Sequence, residues 1–194
     1  MQLQRACHDT LTWLISFSLG DRTHVMQIEL LADRPEFIPT LADWHFHEWA
    51  YLRPGDSVAN RVRILHERSG RRELPITFVA SSDAELLGSA MLIHHEMDTR
   101  PDYTPWLAGV FVAPAHRQRG IGSALTQHVI HTAETLGFPT VYLFTPSAEH
   151  FFSRLGWSIV EHTRYRETDV TIMSHTKSPN QSLEPTAGRC DDEI

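Results

Sequence analysis

Apolar positions recur along this chain with two periods, and the switches between them divide it into elements. Residues 27–31, Gln-Ile-Glu-Leu-Leu, read as a short strand. Pro35-Glu36 then opens a helical stretch that brings Phe37, Leu41, Trp44 and Glu48 near one another. Asp56-Ser57 caps a second helix with Val58, Val62 and Leu65 on one side. Pro75 starts a strand over 76–80, and Ser81-Ser82-Asp83 reads as the hairpin turn into a strand over 86–95. Residues 97–105, with Pro101 and Pro105, are a loop, and Trp106–Val112 is the next strand. After Gly120 a helix aligns Ile121, Leu125, Val129, Ala133 and Leu136 on one face and ends at Gly137. A buried strand over 141–144 follows, then a short helix from Ser147 to Leu155, stopped by Gly156. Segments 157–165 and 169–174 close as an antiparallel pair. The order (strand, two helices, three strands, helix, strand, helix, two strands) predicts an α/β fold around a mixed sheet, without internal repeats.

The two ends depart from this patterning. Residues 11–19 form a short apolar stretch preceded by a single Arg, without the basic start and small-residue cleavage site of a secretory signal. Met26 opens the first strand-like segment, so residues 1–25 are expected to be a loose extension or the product of an upstream start. The segment 177–194 is rich in Ser, Pro, Asn, Gly and Asp and is expected to be disordered, which leaves a working domain over 26–176. A formal charge of −7 argues against a general nucleic-acid binder, and no apolar run is long enough to span a bilayer. Cys7 and Cys190, the only cysteines, lie in the terminal segments and supply no disulfide framework, which fits a reducing cytoplasm. The 13 histidines are scattered, and neither His45-x-His47 nor His94-His95 has an obvious third ligand, so no metal is expected.

The most informative stretch runs from Val110 to Leu125: Val-Phe-Val-Ala-Pro-Ala-His-Arg-Gln-Arg-Gly-Ile-Gly-Ser-Ala-Leu. An apolar strand gives way to a basic, glycine-containing loop that opens a helix. Unpaired N–H groups and the positive end of the helix dipole converge there, which suits a phosphate or pyrophosphate. Gly120 and Gly122 let the backbone approach the anion, while Arg117 and Arg119 add charge. A P-loop would need Gly-Lys-Ser/Thr after four spacer residues, and none is present. A dinucleotide fingerprint would need a small residue where Leu125 stands and an acid at the end of the next strand, which runs into Thr145 and Pro146.

The spacing Arg117-x-x-Gly120-x-Gly122 after Val-x-x-Pro114 resembles the acetyl-CoA loop of the GNAT N-acetyltransferase superfamily. The element order over 26–176 resembles that superfamily too, as does Phe151-Phe152-Ser-Arg-Leu155-Gly156, which is similar to its Phe-Tyr-x-x-Leu-Gly segment. A narrower likeness, carried by His47-Glu48-Trp49 and Leu74-Pro75, is to small bacterial N-acetyltransferases and the eukaryotic actin N-terminal acetyltransferase. The resemblance implies a mixed, mostly antiparallel central sheet flanked by helices, with a splayed strand pair forming the acetyl-CoA slot. It implies acetyl-CoA as cosubstrate, held by Val110, Phe111, Val112, Arg117, Gln118, Arg119, Gly120, Ile121, Gly122, Ser123 and Ala124, with Thr145 and Phe152 on the facing side. The pantetheine arm would lie as a pseudo-strand beside 110–112, where main-chain N–H groups near Phe111 or Val112 polarise the thioester carbonyl.

Acid and base are less readily assigned. Relatives protonate the leaving thiolate with the Tyr of Phe-Tyr-x-x-Leu-Gly, but Phe152 stands there and has no proton to give. Tyr142 and Tyr165 are substitutes to weigh. The strand glutamate that usually serves as base is missing from 106–109, which leaves His94, His95, Glu96 and Glu48 as candidates. The acceptor pocket is expected among Trp44, His47, Trp49, Tyr51, Tyr103 and Trp106. The expected activity is direct acetyl transfer to a primary amine of a small molecule or a peptide N-terminus, in the cytoplasm. A catalytically impaired acyl-CoA-binding module and transfer of a longer acyl group stay open, as does a homodimer; neither nucleic acid nor membrane is an expected partner.

Overall fold

The computed structural model describes residues 13–19 and 22–177. Eight strands form one sheet: β1 (Trp13–Leu19), β2 (Arg22–Leu30), β3 (Ile76–Ser82), β4 (Glu85–Ile93), β5 (Trp106–Val112), β6 (Thr140–Thr145), β7 (Ser158–Tyr165) and β8 (Thr168–Thr176). Their spatial order is β1-β2-β3-β4-β5-β6-β8-β7, and every neighbouring pair is antiparallel except β5–β6. The helices are α1 (Ile38–Trp49), α2 (Val58–Glu67), α3 (Ile121–Thr135) and the short α4 (Glu149–Ser153).

The sheet buries both faces, so its central strands read as continuous apolar runs, and alternation sorts their side chains into two cores. Ile76, Phe78, Ala90, Leu92 and Leu107 pack with Leu125 and Val129 of α3. Val79, Met91, Ile93 and Trp106 face the other way, toward Leu41 of α1 and Leu65 of α2. Ser57 caps α2 as expected, its side chain accepting from Asn60 N at 3.1 Å. Along α3, Ile121, Leu125, Val129 and Ala133 are buried, but Leu136 is 38 % exposed. It stands past the last helical residue, where Gly137 at φ +88° ends the helix.

Two further expectations change. The hairpin after β3 turns on Asp83 and Ala84, both at positive φ, so Ser81 and Ser82 are strand residues and Glu85 opens β4. Residues 13–19 are not a loose extension: they pair with 22–28 and put one more strand on the sheet edge. The period-two pattern Trp13, Ile15, Phe17, Leu19 is a strand pattern, hidden in sequence because Leu14 makes the run look uniformly apolar. Cys7, Cys190 and the tail over 178–194 lie outside the described residues.

A β-bulge positions the site. Ser89 pairs with Phe111 and Met91 with Ala108, so two residues of β5 oppose Ala90 alone. Gly109 takes the bulge at φ +58°, a conformation that favours glycine. The bulge lies in the part of β5 that follows its single bridge to its other neighbour.

Candidate active site

β5 and β6 share one bridge, Trp106 with Tyr142, where Tyr142 N donates to Pro105 O at 2.9 Å. Beyond it the strands separate and leave the β6-facing edge of 107–112 without a strand partner. A cavity of about 860 Å³ fills the gap, walled by Val110 to Val112 on one side and Leu143 to Thr145 on the other.

At one end lies the turn into α3. Gln118 at φ +64° and Gly120 at φ +81° turn successive N–H groups toward one concavity. The first helical bond of α3 is Ala124 N to Gly120 O at 3.0 Å, so the N–H groups before it point out of the helix end. Nothing lies within 4 Å of where a Cβ on Gly120 would sit, so the turn opens onto free space. Arg117 lies against Val112 O (Nε donating at 3.0 Å) and 3.7 Å from Glu48. Arg154 adds a cation to the same cavity. Gln118, Gly120, Ile121, Gly122, Ser123, Thr145 and Phe152 all line it. Arg119 and Ala124 do not: the guanidinium of Arg119 sits 3.5 Å from His116 Nδ1, and Ala124 is already inside the helix. A free strand edge continued by an N–H concavity with two arginines fits a long ligand that ends in phosphates.

The middle of the cavity belongs to residues from α1, β4 and β5. His45 Nε2 lies 2.9 Å from Ser89 Oγ, and Ser89 donates its only proton to Gly109 O at 3.0 Å. His45 therefore carries its hydrogen on Nε2 and keeps a lone pair on Nδ1. Burial, followed by the charges of Arg61 and Arg68, pushes its pKa from 6.5 to about 3, so it is neutral at working pH. At the far end Glu96 lies between Arg53 (3.0 Å) and Arg68 (3.5 Å). Tyr165, whose phenol burial raises in pKa, stands beside them.

Of the residues singled out from sequence, Glu48, Trp49, Tyr51, Glu96 and Tyr165 line the cavity. The others lie elsewhere. Trp106 is 0 % exposed, its indole N–H donating to Tyr103 O in the core. Trp44 packs on Phe111 at 5.3 Å between ring centroids, outside the cavity lining. His47 faces solvent and bonds Asp43 O at 2.8 Å. His94 and His95 follow the end of β4 and are exposed, because the strand that was to aim one of them stops at Ile93. Tyr142 stacks on Tyr103, 4.5 Å apart and 4° from parallel. Sequence reasoning missed Ser89, Arg53, Arg61, Arg68 and Arg154, and saw His45 only as half of a metal pair. Two signals were available: His45 follows Leu41 by one helical turn, and Arg61 interrupts the apolar stripe of Val58, Val62 and Leu65.

The family model described as the acetyltransferase (GNAT) family matches residues 29–157. Among solved structures, yncA of Salmonella typhimurium, determined with its cofactor acetyl-CoA, is 19% identical at a TM-score of 0.60, over 82% of this chain and 98% of that one. An aminoglycoside 6'-N-acetyltransferase complexed with coenzyme A is also 19% identical at a TM-score of 0.60, over 77% and 96%. The spermidine/spermine N-acetyltransferase SpeG of Vibrio cholerae is 16% identical at 0.57, over 78% and 92%. Likeness at this identity speaks for the fold, and no curated protein matches the chain. The family match spans the bulge, the splayed strands and the turn into α3, and the chain accordingly belongs to the acetyltransferase (GNAT) family, whose enzymes use acetyl-CoA as cosubstrate.

Proposed function

We propose that this protein is an acetyl-CoA-dependent N-acetyltransferase that acts by direct transfer on a primary amine of a small molecule or a peptide N-terminus. The observation that carries this reading is the continuity of the cavity. It runs from the N–H concavity at Gly120, along the free edge of β5, to a second, charged compartment around Glu96. One molecule enters from each end and the two meet at the bulge.

Acetyl-CoA, when bound, supplies an activated acyl thioester. The turn at Gln118 to Gly122, with Arg117 and Arg154, is suited to its phosphates, and the edge of β5 offers main-chain groups to its arm. The chain must also deliver the amine without its proton. Arg53 and Arg68 line the acceptor compartment and disfavour a further positive charge there, as Arg61 and Arg68 do on His45. An ammonium entering this field gives up its proton to solvent more readily. His45 Nδ1 then offers a hydrogen-bond acceptor to the neutral amine N–H and orients its lone pair. The cosubstrate points to the cytoplasm; among the described residues no helix is long and apolar enough to cross a membrane.

The second reading, an acyl-CoA-binding module without turnover, draws on Phe152. Its ring is buried against Phe151 and Trp157, a hydrocarbon wall where relatives place a phenol. Thiol release from acetyl-CoA over a panel of amines separates the two. Amine-dependent release supports the transferase; tight acetyl-CoA binding with no release from any amine supports the binding module.

A further inference from the structure

The acceptor compartment holds more positive charge than its own acids neutralise. Arg61 is spent: its Nε meets Asp56, whose side chain is only 1% exposed, and its Nη2 lies 3.5 Å from Trp49 O. Arg166 is offset by Asp98 at 3.6 Å. Arg53 and Arg68 differ, because Glu96 is the one carboxylate between them. Their side chains are 28 % and 22 % exposed, and both face the cavity. A guanidinium has five N–H donors, so each keeps donors beyond those turned toward Glu96. Arg68 also reaches Met91 Sδ at 3.8 Å, and Met91 packs against Gly109. The arginine pair is therefore one side chain away from the bulge where the two substrates meet.

Two guanidinium groups against one carboxylate leave a single unbalanced positive charge. A monoanion restores neutrality, whereas a second ammonium on the acceptor adds to the excess. Carboxylate oxygens match the planar fork of arginine, which favours this anion over a compact one. We infer that the acceptor is a small amine bearing a carboxylate, an amino acid in the chemical sense, with the carboxylate docked on Arg53 and Arg68 and the amine turned toward His45. This inference rests on the N-acetyltransferase reading. It sets the chain apart from proteins named for polycationic substrates such as spermidine.

The test compares matched acceptors by thiol release: glycine with glycinamide, L-leucine with L-leucinamide and L-phenylalanine with L-phenylalaninamide, alongside spermidine. The amide of each pair has the less basic amine, so a preference for the acid cannot come from easier deprotonation. At least one acid is expected to exceed its amide in kcat/KM by about 10- to 100-fold, the worth of a charged hydrogen bond. Spermidine is expected to fall below that acid. Arg68→Gln should erase the preference by raising KM for the acid more than for its amide, and Arg53→Gln should do so in part. Amides used as well as acids, or spermidine used best, would overturn the carboxylate site while leaving the transferase reading intact. No amine-dependent release from any acceptor, with acetyl-CoA bound, would overturn both.

Discussion

His45 and Ser89, from α1 and β4, share a hydrogen bond of 2.9 Å that assigns the histidine proton, because Ser89 has already given its own to Gly109 O. The same carbonyl belongs to the bulge in the stretch of β5 that no longer pairs with β6, so one short chain of bonds ties the orientation of the imidazole to the wall of the slot. Replacing His45 with Phe removes the acceptor and leaves Ser89 with one partner. The expected result is a kcat/KM for the amine lowered by about 10- to 100-fold, with acetyl-CoA affinity kept within about twofold. Steady-state kinetics and calorimetry on the same variant check it.

Acid stability follows from two buried histidines. His45 has its pKa lowered to about 3, by burial first and then Arg61 and Arg68; His128 is lowered to about 4, by burial first and then His131. A histidine with a depressed native pKa takes its proton more readily in the unfolded chain, so stability falls as pH drops. The windows run from the ordinary histidine value of 6.5 down to about 3 for His45 and about 4 for His128. Melting temperature should therefore decline steadily below about pH 6.5, while His128→Phe flattens the upper part of the decline. A flat wild-type profile between pH 6.5 and 4 would contradict the burial of both rings.

Gly120 tests the phosphate cradle. Its φ of +81° penalises any side chain, and the space beyond its Cα is open. Gly120→Ala should cost about 1 kcal/mol of stability and weaken acetyl-CoA modestly. Gly120→Glu adds a negative charge where phosphates are expected and should lower affinity by more than about 100-fold in calorimetric titration. A folded Gly120→Glu protein that binds acetyl-CoA normally would move the site elsewhere.

By the resemblance of residues 151–156 to Phe-Tyr-x-x-Leu-Gly, Phe152 takes the position of a tyrosine in relatives. Phe152→Tyr is expected to raise kcat, by up to about 100-fold if proton delivery limits the rate. Pre-steady-state thiol release distinguishes this from faster product loss. An unchanged rate would assign the proton to Tyr165 or to water.

The two ends of the α3 stripe should behave differently. Leu125 is 0% exposed, and Leu125→Ala is expected to cost about 2–5 kcal/mol in urea unfolding. Leu136 is 38% exposed, and its replacement by Ala should cost less than about 1 kcal/mol.

The element order and the turn at Gly120 were legible because both are local. Periodicity marks a helix within one stretch, and the Arg-x-x-Gly-x-Gly spacing needs no distant partner. The acceptor compartment was not legible, since it is assembled from α1, α2, β4 and the loop after it, and sequence does not tell which turn of α1 meets which residue of β4. His47 and His45 show the difference: two residues apart on one helix, the first faces solvent and the second is buried beside Ser89. The bulge was visible only as Gly109 in an apolar strand, a sign that a register shift was possible without saying what it would open. Residues 13–19 needed a partner strand before their alternation meant anything.

The single bridge between Trp106 and Tyr142 makes the sheet two half-sheets joined at one stitch. Strands β1 to β5 form one continuous ladder and β6 to β8 another, so widening the gap beyond the stitch breaks no backbone hydrogen bond within either half. The width of the slot is thus governed by side-chain packing beneath it, where α3 contacts strands from both halves. Tolerance for acyl chains of different bulk becomes a property of the seam between α3 and the sheet, adjustable by substitutions that never touch the reacting atoms.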